Sequence, residues 1–100
     1  MRKIQFILLV SLFASSLSFS QTASDFIKSA RQKESQNDFK GMIVDCSKAI
    51  SLKADFDSAY CLRGLAFLKT GDLKNASEDF SKTIKQNPKY ADAIADAFLS

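Results

Sequence analysis

Apolar positions in the second half of the chain recur with the period of an α-helix. Tyr60, Gly64 and Phe67 follow one another at intervals of four and three residues, as one face of a helix requires. Residues 70–72, Thr-Gly-Asp, predict the end of this helix, since glycine suits the left-handed backbone that often follows a helix. A second helix should stop before Pro88, because proline disfavours helical backbone in the residue before it. The predicted inner face of that second helix consists of Leu73, Ala76, Phe80, Thr83 and Ile84.

The chain contains an internal repeat with a period of 34 residues. Segment 45–50 reads Asp-Cys-Ser-Lys-Ala-Ile and segment 79–84 reads Asp-Phe-Ser-Lys-Thr-Ile, so four of the six residues are identical at this offset. The offset divides the chain into units at 23–56 and 57–90, each predicted to be a pair of helices. Residues 91–100 begin like a third unit, and we expect them to form a short helix that covers the end of the second pair.

The second unit carries a family signature. Its spacing resembles that of the tetratricopeptide repeat, a helical hairpin of about 34 residues. The residues that carry this resemblance are Tyr60, Gly64, Phe67, Gly71, Ala76, Phe80 and Pro88. The resemblance implies an all-α fold for residues 21–100: two helical hairpins and a short terminal helix, stacked as a right-handed α-solenoid.

The first unit departs from the signature at several positions. It keeps Phe26, Ala30 and Ala49, but it has other residues where the family pattern has an aromatic, a small residue or proline. These departures are Lys33, Met42, Cys46 and Ala54, and they bear on how the first hairpin packs. In the second unit, Gly64 lies inside a helix, where glycine costs about 1 kcal/mol relative to alanine. We therefore expect the partner helix to approach closely at Gly64.

Residues 1–20 have the pattern of a secretory signal peptide. Arg2 and Lys3 precede an apolar run at 4–13, and small residues precede a predicted cleavage site between Ser20 and Gln21. The alternative is an uncleaved membrane anchor, but the run of about ten residues is about half the length that a spanning helix needs. We therefore expect an exported protein that is periplasmic, secreted or at the cell surface, with no stable membrane insertion after cleavage.

Composition argues against catalysis and against nucleic-acid binding. The sequence has no histidine, which removes histidine-based catalytic pairs and histidine-ligated metal sites. Its formal net charge is +3, but without Arg2 and Lys3 there are 12 basic and 11 acidic residues. A nearly neutral domain gives no electrostatic attraction to nucleic acid. We expect a protein that is not an enzyme, binds no cofactor or metal, and has no nucleic-acid partner.

Two cysteines and one sequon allow covalent modification in an oxidising compartment. Cys46 and Cys61 could form a disulfide, but in the repeat register Cys46 faces the helix pair and Cys61 faces the concave side. A buried thiol at Cys46 is therefore the simpler interpretation. Segment 75–77, Asn-Ala-Ser, matches an N-glycosylation acceptor, which matters only in a glycosylating pathway.

The resemblance also places a candidate binding surface on the chain. Repeats of this family bind peptides with the first helix of each hairpin, on the concave face. The partner-binding positions that this implies are Ile27, Arg31, Ser58, Cys61, Leu65, Leu68 and Lys69, with Ser24 and Ser35 beside them. They form a mostly apolar groove and do not reproduce the lysine and asparagine clamp of one family subset. We expect binding of a protein or peptide partner.

Two alternatives to partner binding remain at this point. Leu65 and Leu68 could instead pack under the terminal helix or against a second copy in a homo-oligomer. The chain could also be a truncated or incomplete repeat protein, stable only on self-association or on assembly with another chain. Repeats of this kind generally need about three units for stability, which motivates that interpretation.

Overall fold

The described part of the protein, residues 21–99 of a computed structural model, is built from helices alone. The predicted signal peptide at 1–20 lies outside the described residues. A 3₁₀ turn at Pro88–Tyr90 separates the last two α-helices. The α-helices are α1 (Ala23–Ser35), α2 (Phe39–Leu52), α3 (Asp57–Lys69), α4 (Leu73–Gln86) and α5 (Ala91–Leu99).

Short polar side chains begin three of these helices. Thr22 and Asp25 form a reciprocal capping box at the start of α1, in which each side chain binds the backbone of the other. Asp38 and Asp72, 34 residues apart, cap α2 and α4 by accepting a hydrogen bond from the backbone N–H three residues later. The same local solution therefore begins the second helix of both hairpins.

The turns inside the two hairpins also share one backbone conformation. Asn37 has φ 59° and Gly71 has φ 86°, which places both residues in the left-handed region. Asparagine and glycine are the residues that adopt this region most readily. The helix end predicted at Gly71 is confirmed, and α4 ends at Gln86, ahead of Pro88 as predicted.

The helices pack in chain order. The main contacts join α1 to α2, α2 to α3, and α3 to α4. One buried cluster lies among α1, α2 and α3, and it contains Ile27, Ala30, Met42, Cys46, Ala49, Ala59, Leu62 and Ala66. A second cluster contains Ala76 and Phe80 of α4 and Ile94 of α5.

The close approach expected at Gly64 is confirmed. A Cβ atom on Gly64 would lie 2.6 Å from Cε1 of Phe80, so only glycine leaves room for this ring. The equivalent residues 34 positions earlier are Ala30 and Cys46, both fully buried. The second hairpin therefore has a glycine facing a large ring at the positions where the first hairpin has two small side chains.

The predicted inner face of α4 is partly wrong. Ala76, Phe80 and Thr83 are buried as expected, but Leu73 is 61% exposed and Ile84 is 36% exposed. Leu73 is the first residue of the helix. Ile84 follows the buried Thr83 and lies at the edge of the buried face of α4. The buried stripe of α4 is therefore narrower than its apolar pattern indicates, and it includes the carboxylate of Asp79.

The departures in the first unit are accommodated in two ways. Met42 is 1% exposed and fills the site that Ala76 occupies in the second hairpin. Lys33, where the family pattern has an aromatic residue, extends its ammonium group to 2.8 Å from the carboxylate of Asp45.

The terminal helix α5 packs on α4 through two side chains. Ile94 is 5% exposed and lies in the cluster with Ala76 and Phe80. The ring of Phe98 meets the ring of Phe80 edge to face, with centroids 5.4 Å apart. Phe80 is therefore enclosed between Gly64 on one side and α5 on the other.

Candidate functional site: a groove between α1 and α3

Two adjacent depressions lie along α3, one where it faces α1 and the other where it faces the end of α1 and the start of α2. The first, which we call the Cys61 pocket, has a volume of about 200 Å³. Its walls come from three elements of the fold: α1, α3, and the segment that contains the 3₁₀ turn and α5. The lining residues are Arg31, Glu34, Ser58, Cys61, Leu62, Leu65, Tyr90 and Ala93.

The second depression, the Lys69 pocket, lies farther along α3 and has a volume of about 190 Å³. Its lining residues are Glu34, Asn37, Phe39, Met42, Leu65, Ala66 and Lys69. Glu34 and Leu65 line both pockets, so these two residues form the boundary between them. Together the two pockets form one groove with an apolar floor and charged side chains at its rim.

Five of the seven predicted binding residues line this groove. Arg31, Ser58, Cys61 and Leu65 line the Cys61 pocket, and Lys69 lines the other together with Leu65. The structure thus brings together residues that are up to 38 positions apart in the sequence.

The other two predicted binding residues take part in the packing between helices. Ile27 is 7% exposed and belongs to the buried cluster among α1, α2 and α3. Leu68 is half-buried and packs against the cluster that contains Ile94 of α5. Both side chains contribute to the packing of the helices in this structure.

Sequence reasoning missed the residues that close the groove. Tyr90 and Ala93 form one end of the Cys61 pocket, and the hydroxyl groups of Tyr90 and Ser58 lie 2.9 Å apart. Glu34 forms the boundary between the pockets. Tyr90 lies 34 residues after Phe56, and this equivalence of two aromatic residues carries no information about a hydroxyl contact.

Each hairpin has one buried carboxylate that pairs with a cation from the other helix of that hairpin: Asp45 with Lys33, and Asp79 with Arg63. Asp79 is 2% exposed and accepts two hydrogen bonds from the Arg63 guanidinium, at 2.7 and 2.8 Å. Arg63 also donates to Ser47 of α2 at 3.2 Å, so it connects three helices. The hydrogen bond to Asp79 raises the pKa of Arg63 above its ordinary value. These charges are used inside the fold and are not offered to a partner.

Both cysteines are free thiols, so the disulfide considered above is not formed. Burial raises the pKa of Cys46 from 9.0 to about 12. Burial also raises the pKa of Cys61, although nearby Arg31 acts in the opposite direction. A raised pKa keeps a thiol protonated at neutral pH, whereas nucleophilic catalysis needs the thiolate. The arrangement therefore offers an apolar surface with a thiol at its edge and no activated nucleophile.

Two further features of residues 21–99 bear on the site. Over that range, no three Cys, Asp or Glu side chains are grouped so that they could hold a metal ion. None of the helices in the described part of the chain combines the length and the apolar composition needed to cross a membrane.

Comparisons with known proteins find a distant similarity. A segment of 49 residues, 49% of this chain, is 45% identical to DnaJ homolog subfamily C member 3 of mouse and of human. The same protein in rat is 43% identical over 49 residues. This relative contains tetratricopeptide repeats. The chain spans only about a tenth of the length of these relatives.

The other two comparisons gave no match. No protein-family model matches the chain, and no solved structure matches it. The similarity to DnaJ homolog subfamily C member 3 is compatible with a helical repeat and with a protein-interaction module.

Proposed function

We propose that this protein is a non-catalytic interaction module that binds a peptide or protein partner in the groove between α1 and α3. The observation that carries the proposal is the groove itself, in which five predicted binding residues from two hairpins line two adjacent pockets. Pockets with apolar floors and a few polar groups at the rim are typical of ligand sites. The distant similarity to a repeat-containing protein supports the same assignment.

The proposal includes an architecture for residues 21–100. Units 23–56 and 57–90 are two tetratricopeptide hairpins, and 91–100 is a partial unit or capping helix. The hairpins stack as a right-handed α-solenoid with the first helix of each on the concave side. Three equivalent features at the 34-residue offset support this: the caps at Asp38 and Asp72, the left-handed turns, and the buried carboxylates of Asp45 and Asp79.

The proposal places this activity outside the cytoplasm. Its support is the signal-like pattern of residues 1–20, and its test is the amino terminus of the exported protein. Mass spectrometry should find a chain that begins close to Gln21. Exported material that begins at Met1 would contradict cleavage and would favour the membrane-anchor alternative.

Selection from a displayed random-peptide library tests the groove as the binding surface. The bait is protein purified from cells that express the full 100-residue sequence. Ala93→Trp should abolish capture of the selected peptides, because the indole would fill the Cys61 pocket that Ala93 lines. Ala95→Trp is the matched control, since Ala95 is an exposed residue of the same helix and lines neither pocket. Selected peptides that bind both variants equally would place binding elsewhere.

A second candidate function is assembly with another copy or another chain, and one observation favours it. Phe98 is 51% exposed and Leu99 is 86% exposed, so α5 presents large apolar side chains to solvent. Such side chains are common in contacts between subunits. Sedimentation equilibrium of the protein and of Leu99→Lys distinguishes this candidate, because self-association through α5 should weaken in the variant.

A further inference from the structure

We propose, building on the function assigned to the groove, that its ligand is an extended segment of a partner protein with two apolar side chains two residues apart and a carboxylate on each side of them. The inference names the chemistry of the partner at the same groove. It follows from the spacing of the two pockets and from three charged side chains at the rim.

The spacing of the pockets matches an extended chain. Along α3, the Cys61 pocket is lined from Ser58 to Leu65, and the Lys69 pocket from Leu65 to Lys69. The midpoints of these stretches differ by between five and six residues, or roughly 8 Å at the rise of an α-helix. Side chains two residues apart in an extended chain lie on the same face at about 7 Å. One extended segment can therefore place an apolar side chain in each pocket.

Polar groups on the walls favour an extended ligand over a helical one. Glu34 lines both pockets, and Asn37 lines one of them. Neither side chain makes a hydrogen bond or ion pair to another described residue. An extended segment leaves its backbone N–H and C=O groups free to pair with such side chains, whereas a helix uses those groups internally.

The rim charges determine the flanking residues of the ligand. Arg31 at the Cys61 pocket and Lys69 at the other pocket are exposed, and within residues 21–99 neither makes an ion pair. The cations that face the interior, Lys33 and Arg63, are already paired with buried carboxylates. In an extended ligand the residues just outside the two apolar positions point away from the floor and lie at the two ends of the groove, within reach of long side chains on the rim. Carboxylates there would meet Arg31 and Lys69, which selects acidic flanks over basic ones.

Fluorescence anisotropy with labelled peptides tests the inference. The probe contains Glu-Leu-Ser-Leu-Glu between glycine spacers. One control peptide replaces both glutamates with lysine, and a second separates the leucines by four positions, the spacing of a helical face. The protein is again purified from cells that express the full sequence.

The expected result is a preference for the probe over the lysine peptide of about tenfold, the scale of two exposed ion pairs changing from attraction to repulsion. The preference should invert in Arg31→Glu/Lys69→Glu. It should persist in Lys74→Glu, which reverses an exposed charge that lines neither pocket. The helically spaced peptide should bind at least about tenfold more weakly than the probe, because one leucine then misses its pocket.

The outcomes separate this inference from the proposed function. Equal binding of the acidic and basic peptides, or tighter binding of the helically spaced one, overturns the inference and leaves the groove as a binding site. The same holds if the library yields peptides sensitive to Ala93→Trp while the probe itself does not bind. Failure of the library to yield any such peptide overturns the proposed function and this inference together.

Discussion

Gly64 and the ring of Phe80 are in direct contact across the second hairpin, and no side chain larger than hydrogen fits between them. The equivalent residues of the first hairpin are Ala30 and Cys46, two small side chains that are fully buried in one cluster. Each hairpin therefore needs a matched pair of side chains at this position. Exchanging only one residue of a pair for its equivalent in the other hairpin should therefore disturb the packing.

Replacing Gly64 with alanine should destabilise the protein by about 1–3 kcal/mol, because the new methyl group overlaps the Phe80 ring by more than the gain in helix propensity can offset. In a Phe80→Cys background the same change should cost much less, since the pair then matches Ala30 and Cys46. Urea denaturation of the four proteins in this double-mutant cycle measures the coupling. If Gly64→Ala raises the stability of the otherwise unchanged protein, the close contact is wrong.

A second prediction concerns the first hairpin, where Met42 occupies the site of Ala76. Met42 is 1% exposed, so Met42→Ala should leave a cavity and cost about 2–5 kcal/mol. Ala76→Leu should overpack the equivalent contact and cost about 1–3 kcal/mol. Thermal melts of both variants check these values. An unchanged melting temperature for either variant would show that the two positions are not equivalent.

The third prediction compares the two buried carboxylates. Arg63→Gln leaves Asp79 without its charged partner in a nearly fully buried site, and it should cost about 3 kcal/mol or more. Lys33→Gln should cost about 1 kcal/mol or less, because the Lys33 side chain is 32% exposed and makes one contact with Asp45. Urea denaturation measures both changes. Equal costs would contradict the role of Arg63 as the connector of three helices.

The fourth prediction uses the two thiols. With a pKa of about 12, about one Cys46 in ten thousand is a thiolate at pH 8, and the side chain is fully buried. A Cys61→Ser protein should therefore resist iodoacetamide until urea is added, whereas Cys46→Ser should be labelled in the folded state at Cys61, which is only partly buried. Mass spectrometry over time gives the rates. Fast labelling of Cys46 in the folded Cys61→Ser protein would contradict its burial.

The raised pKa of Cys46 also predicts in which direction the stability of the protein changes with pH. Because its folded pKa of about 12 exceeds its ordinary value of 9.0, the unfolded chain ionises first as the pH rises. The contribution of this thiol to stability is therefore complete below pH 9 and is lost progressively between pH 9 and 12. Cys46→Ala should show a smaller loss of stability over that range than the unchanged protein. An equal loss in both proteins would contradict the shift.

The last prediction tests the terminal helix. Ile94 is 5% exposed, so Ile94→Ala should cost about 2–4 kcal/mol by uncovering the cluster around Phe80. Ile84→Ala is the matched control, because Ile84 is 36% exposed and lies outside the buried clusters. Circular dichroism with light scattering on both variants reports helix content, melting temperature and self-association. Equal melting temperatures would show that α5 does not cover the end of the second hairpin.

The positions of the helices and turns could be predicted from the sequence, because local chemistry decides them. The left-handed turn at Gly71 and the helix end before Pro88 depend on the backbone preferences of a few residues. The cost of glycine inside a helix likewise predicted the close approach of the partner helix at Gly64. None of these features needs information from distant parts of the chain.

Burial and pairing were decided by the tertiary structure. Apolar Leu73 and Ile84 are exposed because no helix within residues 21–99 covers that edge of α4, while polar Asp79 is buried because Arg63 reaches it. The repeat register alone could not predict which cations pair with Asp45 and Asp79. Lys33 aligns with Phe67 and not with Arg63, so the two buried carboxylates take partners from different positions of the repeat.

The groove, too, was predicted in part from the sequence and decided in part by the tertiary structure. From the sequence, the resemblance to a known helical repeat identified five of the thirteen residues on its walls. Only the tertiary structure brought Glu34 and Tyr90 to the groove and placed Ile27 in the core, since these outcomes depend on which distant element packs against each face. Periodicity determines which side chains share a face, and the covering element determines whether that face is core or surface.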